Sequence, residues 1–289
     1  MEYFSDQERG KVEASKEEIS DQVWRGILRH INALINSGAF GESFPEMCID
    51  GPVIIGSNKS AFLEACRAEI PYLPEDWEME KPDTLDLLDL IQFCFKNVSE
   101  PIQLDYHNYF SHHHLTFNRH KGQEMFVNQI NQIFERNGIV FRLQSDSAII
   151  RTLPPEFNQL LDVCDTGNEA NFDGLLDDAK TKIRDPDPKV RKEGLERLWD
   201  AWERLKTLEE GNGKKDQATK LLNKAASSPE FLNLLGKEAS ELTEIGNTFQ
   251  IRHHERGKYA INDPRQIDYL FFRMLSMIFL LLKARRSTP

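Results

Sequence analysis

The sequence predicts a mainly α-helical protein in two parts: a helical N-terminal domain ending in one β-hairpin over residues 1–154, then a helical bundle over residues 155–289. Three observations carry this. Apolar residues recur at helical spacing along most of the chain. Strand-like patterning is strong in one short stretch only. A Pro154-Pro155 pair then separates a mixed first half from a second half made of helix and turn.

In the first half, Ser15 and Glu18 form a capping-box pattern. Ile19, Val23, Ile27, Ile31 and Ile35 follow at helical spacing, and Gly38 ends the predicted helix. A loop rich in Gly, Pro and Ser runs through Pro45, Gly51 and Pro52 to Asn58. A second helix is expected over 60–69, cut off before Pro71, and Pro74 and Pro82 keep the next stretch irregular. Residues 84–98 are apolar on most sides, as expected of a central helix. Phe126, Ile130, Ile133 and Phe134 share a face of a helix over 123–137 that stops at Gly138. The period then changes: 139–143, a turn at Ser145-Asp146-Ser147 and 148–153 predict the hairpin. In the second half, helices are expected over 157–164, 172–184, 188–209, 215–226, 230–246 and 263–283. Pro188 opens the third of these.

Of the 289 residues, 39% are hydrophobic and 29% charged, enough apolar matter for packed cores. The net charge of −11 argues against broad, sequence-blind binding to duplex nucleic acid, because an acidic surface repels the phosphate backbone. Cys48, Cys66, Cys94 and Cys164 are spread singly with no C-x-x-C pair, so they read as reduced thiols of a cytoplasmic protein. The polar, acidic start is unlike a signal peptide. The most apolar run, 274–282, is too short for a span of about 20 residues. The expectation is a soluble protein that does not engage membranes.

Two clusters hold most of the eight histidines. The first is His107, His112, His113, His114 and His120. A metal site needs imidazoles that converge, and this spacing fits no established ligand pattern such as H-E-x-x-H. Adjacent histidines also point in different directions on a helix or a strand. The segment therefore reads as a polar, aromatic-rich turn with one or two histidines packed inside, and no metal or other cofactor is expected. A metal-dependent enzyme built on His107 and His112–His114 is the weaker alternative.

The second cluster is Arg252-His253-His254-Glu255-Arg256-Gly257-Lys258-Tyr259, between two predicted helices. Arginine clamps a phosphate in bidentate fashion and histidine titrates near neutrality, so the pair suits proton transfer at a phosphodiester. From 252 to 286 there are eight Lys or Arg against three acids, a local positive zone in an acidic chain. The bland reading is a solvated turn with an internal Arg–Glu pair. Trp199 and Trp202 lie among leucines at helical spacing and read as core. No Gly-rich phosphate loop or G-x-S-x-G elbow is present.

The arrangement resembles AbiJ-like abortive-infection proteins with a C-terminal HEPN domain. The residues that carry the resemblance are Ile130-Asn131-Gln132-Ile133-Phe134 before the hairpin from Gly138 to Leu153, the long amphipathic helix after Asp185-Pro186-Asp187-Pro188, and Ile251-Arg252-His253-His254 before the last helix. The resemblance implies a HEPN-like helical bundle that pairs as a homodimer. It also implies a metal-independent endoribonuclease in which the ribose 2′-hydroxyl attacks the adjacent phosphate. Carried over, Arg252 binds the phosphate, His253 or His254 is the acid/base, and Glu255 orients that histidine. Arg256, Lys258 and Tyr259 are then RNA-binding residues. The family's usual spacing would put a histidine at 257–259, where this chain has Gly257, Lys258 and Tyr259. Two forms stay open: a compact Arg-His-His-Glu site acting on RNA (tRNA being one candidate), or a non-catalytic RNA- or partner-binding version whose charged turn is structural. By family analogy the N-terminal region senses a phage-derived trigger.

Overall fold

A computed structural model describes residues 4–163, 169–249, 251 and 259–287. Among these lie eleven helices and three separate two-stranded antiparallel pairs, so the chain is mainly α. It divides into two compact units, Met1–Thr152 and Leu153–Pro289.

In the first unit, helix α1 (Phe4–Arg9) precedes an extended segment, and α2 spans Asp21–Asn36 with Ser20 at its N-cap. The capping box expected at Ser15 does not start this helix. Lys16 instead bridges Ile139 in parallel: its N–H donates to the Gly138 carbonyl at 2.9 Å and its own carbonyl accepts from Val140. Tertiary pairing outweighs the local capping signal here. Strands β1 (Pro45–Met47) and β2 (Ile54–Ser57) form the first hairpin, and α3 (Lys59–Glu69) follows, with the Asn58 side chain accepting from Ala61 N–H. Helix α4 (Thr84–Asn97) buries seven apolar residues, as its all-round hydrophobicity predicts. Phe40, Phe44 and Phe93 pack round the fully buried Phe62 with ring centroids 4.6 to 5.6 Å from it.

Strands β3 (Glu100–His107) and β4 (His112–Asn118) form the longest hairpin, where the sequence predicted a turn. Helix α5 (Arg119–Asn137) begins on Asn118, whose side chain accepts from Lys121 N–H, and ends on Gly138 in the left-handed region at φ 68°. Strands β5 (Phe141–Leu143) and β6 (Ile149–Arg151) close the unit as the predicted hairpin.

The second unit holds α6 (Pro155–Val163), α7 (Ala170–Lys182), α8 (Pro188–Leu205), α9 (Lys214–Ala225), α10 (Pro229–Thr248) and α11 (Pro264–Ser287). Trp199 and Trp202 of α8 are fully buried core, as expected, among Leu195, Leu198 and Leu205. The buried Arg191 guanidinium donates to the Asp185 and Pro186 carbonyls and so braces the turn between α7 and α8. Helix α11 supplies much of the core through Phe271, Met274, Leu275 and Ile278. Among the described residues no helix is long and apolar enough to cross a membrane.

Candidate functional site

The geometry of the first histidine cluster follows from strand period and register. Side chains two apart on a strand share a face, so His112 and His114 of β4 point one way and His113 the other. Across the hairpin His107 pairs directly with His112, and Tyr106 with His113. A register shift between Gln103 and Tyr106 sets two residues of β3, Leu104 and Asp105, opposite His114 alone. The result is three imidazoles converging on one face, with ring centroids 5.3 to 5.8 Å apart.

The fourth member comes from the other hairpin. Cys48 follows β1 in the turn towards β2, held by its own N–H donating to the Val53 carbonyl at 2.9 Å. Its Sγ lies 3.7 Å from His107 Nδ1. One donor atom from each of Cys48, His107, His112 and His114 lies within 4.8 Å of the other three. Cys48 is buried and the three histidines are half-buried. The His112 and His114 Nε2 atoms are buried and make no hydrogen bond among the described residues. On its other side His107 turns Nε2 towards Asp50, 3.7 Å from Oδ2. Phe110 packs edge-on to His107 and stacks near-parallel to His112, so an aromatic ring covers the cluster. A thiol with three imidazoles is a donor set for a borderline divalent transition metal.

His113 stands apart. Its Nδ1–H donates to the Leu104 carbonyl at 3.2 Å and its ring packs on Tyr106. His120 is exposed in the first turn of α5 and belongs to neither arrangement. The polar turn expected over this segment is therefore corrected to a hairpin whose pleat gathers three of its four histidines, while His120 falls in α5. Sequence reasoning missed Cys48, which is 59 residues away from His107 in the chain. The His107-x4-His112-x-His114 spacing was the available signal once a strand is assumed.

Of the second cluster, Arg252, His253, His254, Glu255, Arg256, Gly257 and Lys258 lie outside the described residues. Their flanks are described. Phe249 and Tyr259 form a parallel bridge, with Tyr259 N–H donating to the Thr248 carbonyl at 3.2 Å and the two rings 6.2 Å apart. Ile251 and Ile261 are buried, while Tyr259 is 69% exposed. The described residues on either side of the charged segment thus meet between α10 and α11.

Among the described cations of the positive zone, at least three are engaged by carboxylates. Arg265 is paired with Asp263, Arg273 grips Glu238 in bidentate fashion and also reaches Glu241, and Arg285 meets Glu209. The hydrogen bond to Glu238 is the largest cause holding the Arg273 guanidinium well above its ordinary pKa. At Glu209 burial pushes the carboxyl up, but hydrogen bonds from Lys224 and Arg285 outweigh it and hold the carboxyl below its usual range. The net positive count read from the sequence is therefore partly neutralised in the folded unit.

The two units and the Cys–His cluster define a helical protein with an elaborated N-terminal unit. Residues 2–162 match the family described as AbiJ N-terminal domain 4, and the chain belongs to that family. It is in this sense an AbiJ-like abortive-infection protein. No curated protein and no solved structure matches the chain.

Proposed function

We propose that this chain is an RNA-acting effector of phage defence whose C-terminal unit is a HEPN-type bundle. The observation behind the reading is the charged segment of residues 252–258, whose flanking residues Phe249 and Tyr259 pair with each other just before the longest helix, α11. Family membership of residues 2–162 adds the abortive-infection context.

In this reading Arg252 binds the scissile phosphate and His253 or His254 takes the proton from the ribose 2′-hydroxyl. The 2′-oxygen attacks phosphorus, the 5′-oxygen of the next nucleotide leaves with a proton, and a cyclic phosphate remains. Glu255 orients the histidine, while Arg256, Lys258 and exposed Tyr259 hold the RNA backbone and a base. No step draws on a metal ion. The bundle pairs with a second copy, and the N-terminal unit senses a phage-derived trigger.

Phage plating tests this in cells. Wild type should lower plating efficiency, and both Arg252→Ala and the double His253→Ala/His254→Ala variant should restore it at equal protein level. Undiminished defence by both variants refutes the assignment. The ion pairs of Arg265, Arg273 and Arg285 favour a second reading, a non-catalytic binding protein whose charged turn is structural. On that reading the same variants lose thermal stability while RNA stays intact.

A further inference from the structure

We infer that Cys48, His107, His112 and His114 bind one zinc ion in a closed four-ligand site that locks the β1–β2 turn onto the β3–β4 hairpin. Ligand count and ligand type both point to zinc. One thiolate and three imidazoles fill a tetrahedral shell, the preferred geometry of structural zinc. Magnesium and calcium take oxygen ligands, and none of the four is one.

The distances fit. Zinc–sulfur and zinc–nitrogen bonds of about 2.3 and 2.0–2.1 Å set the S···N edge of a tetrahedron near 3.6 Å, and Cys48 Sγ stands 3.7 Å from His107 Nδ1. With all four donors within 4.8 Å of one another, a central ion requires each ligand to move inward by at most about 1 Å.

The hydrogen-bond pattern supplies an independent argument. Buried imidazole nitrogens are normally paired, yet the Nε2 atoms of His112 and His114, two residues of the converging set, are buried without a partner among the described residues. These two nitrogens are the metal-facing atoms. His107 binds through Nδ1, which leaves its Nε2–H directed at Asp50, the carboxylate arrangement that commonly orients a ligating histidine. Phe110 screens the site through its contacts with two of the rings.

Binding converts the Cys48 thiol to a thiolate and releases its proton to solvent. Zinc remains divalent throughout, and the complex carries one net positive charge. No open coordination position remains, so the ion holds structure and does not activate water. It joins two hairpins that are far apart in sequence, the turn after Met47 and the strands from Glu100 to Asn118. The inference concerns the N-terminal unit alone and stands or falls apart from the RNA chemistry proposed above.

The test is metal content of the full chain, purified without chelator and measured by mass spectrometry, for wild type, Cys48→Ser, a double His112→Gln/His114→Gln variant and His113→Gln. One zinc per chain is expected in wild type and in His113→Gln, with loss of at least nine-tenths in the other two. Should those two fail to fold, wild type reconstituted with cobalt(II) gives a second readout. Tetrahedral d–d bands with a sulfur-to-cobalt charge-transfer band are expected. Wild type without stoichiometric zinc and without that cobalt spectrum overturns the inference. So does zinc retained in all variants, or stoichiometric iron or copper in its place.

Discussion

Gly122 and Gly26 are both helical glycines of the N-terminal unit, and the same substitution should move them in opposite directions. Gly122 lies in the first turns of α5, where a Cβ would stand 2.4 Å from Glu100 N and Ser99 C. Carbon atoms in contact sit about 3.5–4.0 Å apart, so the backbone must open by about 1 Å. That backbone is pinned: Ser99 N–H donates to the Ala39 carbonyl at 2.8 Å, and its hydroxyl donates to Glu42. No side-chain rotamer relieves the clash, so the cost falls at the upper end of the ~1–3 kcal/mol of overpacking. Helix propensity returns ~1 kcal/mol, for a net loss of ~2 kcal/mol. A Cβ at Gly26 in α2 meets nothing within 4 Å, so Gly26→Ala keeps the propensity gain. At about 2–4 °C per kcal/mol for a unit of this size, Gly122→Ala should lower the first unit's Tm by ~4–8 °C, and Gly26→Ala should raise it by ~2–4 °C. Scanning calorimetry of the full chain reads both. Equal shifts, or a neutral Gly122→Ala, would refute the close approach of α5 to β3.

Glu209 accepts hydrogen bonds from Lys224 and Arg285, each at 2.7 Å, with its side chain only 10% exposed. Glu209→Gln should cost about 1–3 kcal/mol in chemical denaturation at pH 7. Its folded-state carboxyl lies below the ordinary 4.5, so the contribution is full above that value and lost as pH falls through the depressed one. The variant should accordingly show a flatter acid limb, and an unchanged limb would contradict the pairing. Burial, with help from Glu69, pushes the Cys66 thiol up to about 12, and burial, with help from Cys66, holds the Cys94 thiol well above 9.0. Both thiols should resist iodoacetamide at pH 8 until the chain unfolds. Because their folded values exceed 9.0, stability should be intact below that pH and decline as pH rises towards 12. Alkylation of either thiol in native protein, read by peptide mass, would contradict the packing.

Helices were legible wherever cap and period agreed. Asn58 before α3, Gly138 after α5 and Pro188 at the start of α8 stand where the sequence placed a boundary within a residue or two. The Ser15 signal failed because residues 15–16 pair with 138–140 far along the chain, a contact no local window contains. Strands β3 and β4 were missed for a different reason. Ile102, Leu104 and Tyr106 of β3 do alternate with Gln103, Asp105 and His107 at strand period, but the run abuts the histidine- and aromatic-rich segment that reads as a turn, and in the fold these three apolar side chains are substantially exposed. The Cys–His cluster inherits that blindness, since its convergence depends on a register shift and on a thiol delivered by another hairpin. The charged segment at 252–259 was visible from composition alone, whereas the carboxylates that occupy Arg273 and Arg285 come from α10 and from the turn after α8.

Incubating the purified full chain with total tRNA, without added divalent metal and beside Arg252→Ala, tests the central claim most directly. Discrete fragments ending in cyclic phosphate are expected from wild type, and intact tRNA from the variant. Intact tRNA from both, or the same fragments from both, would contradict it.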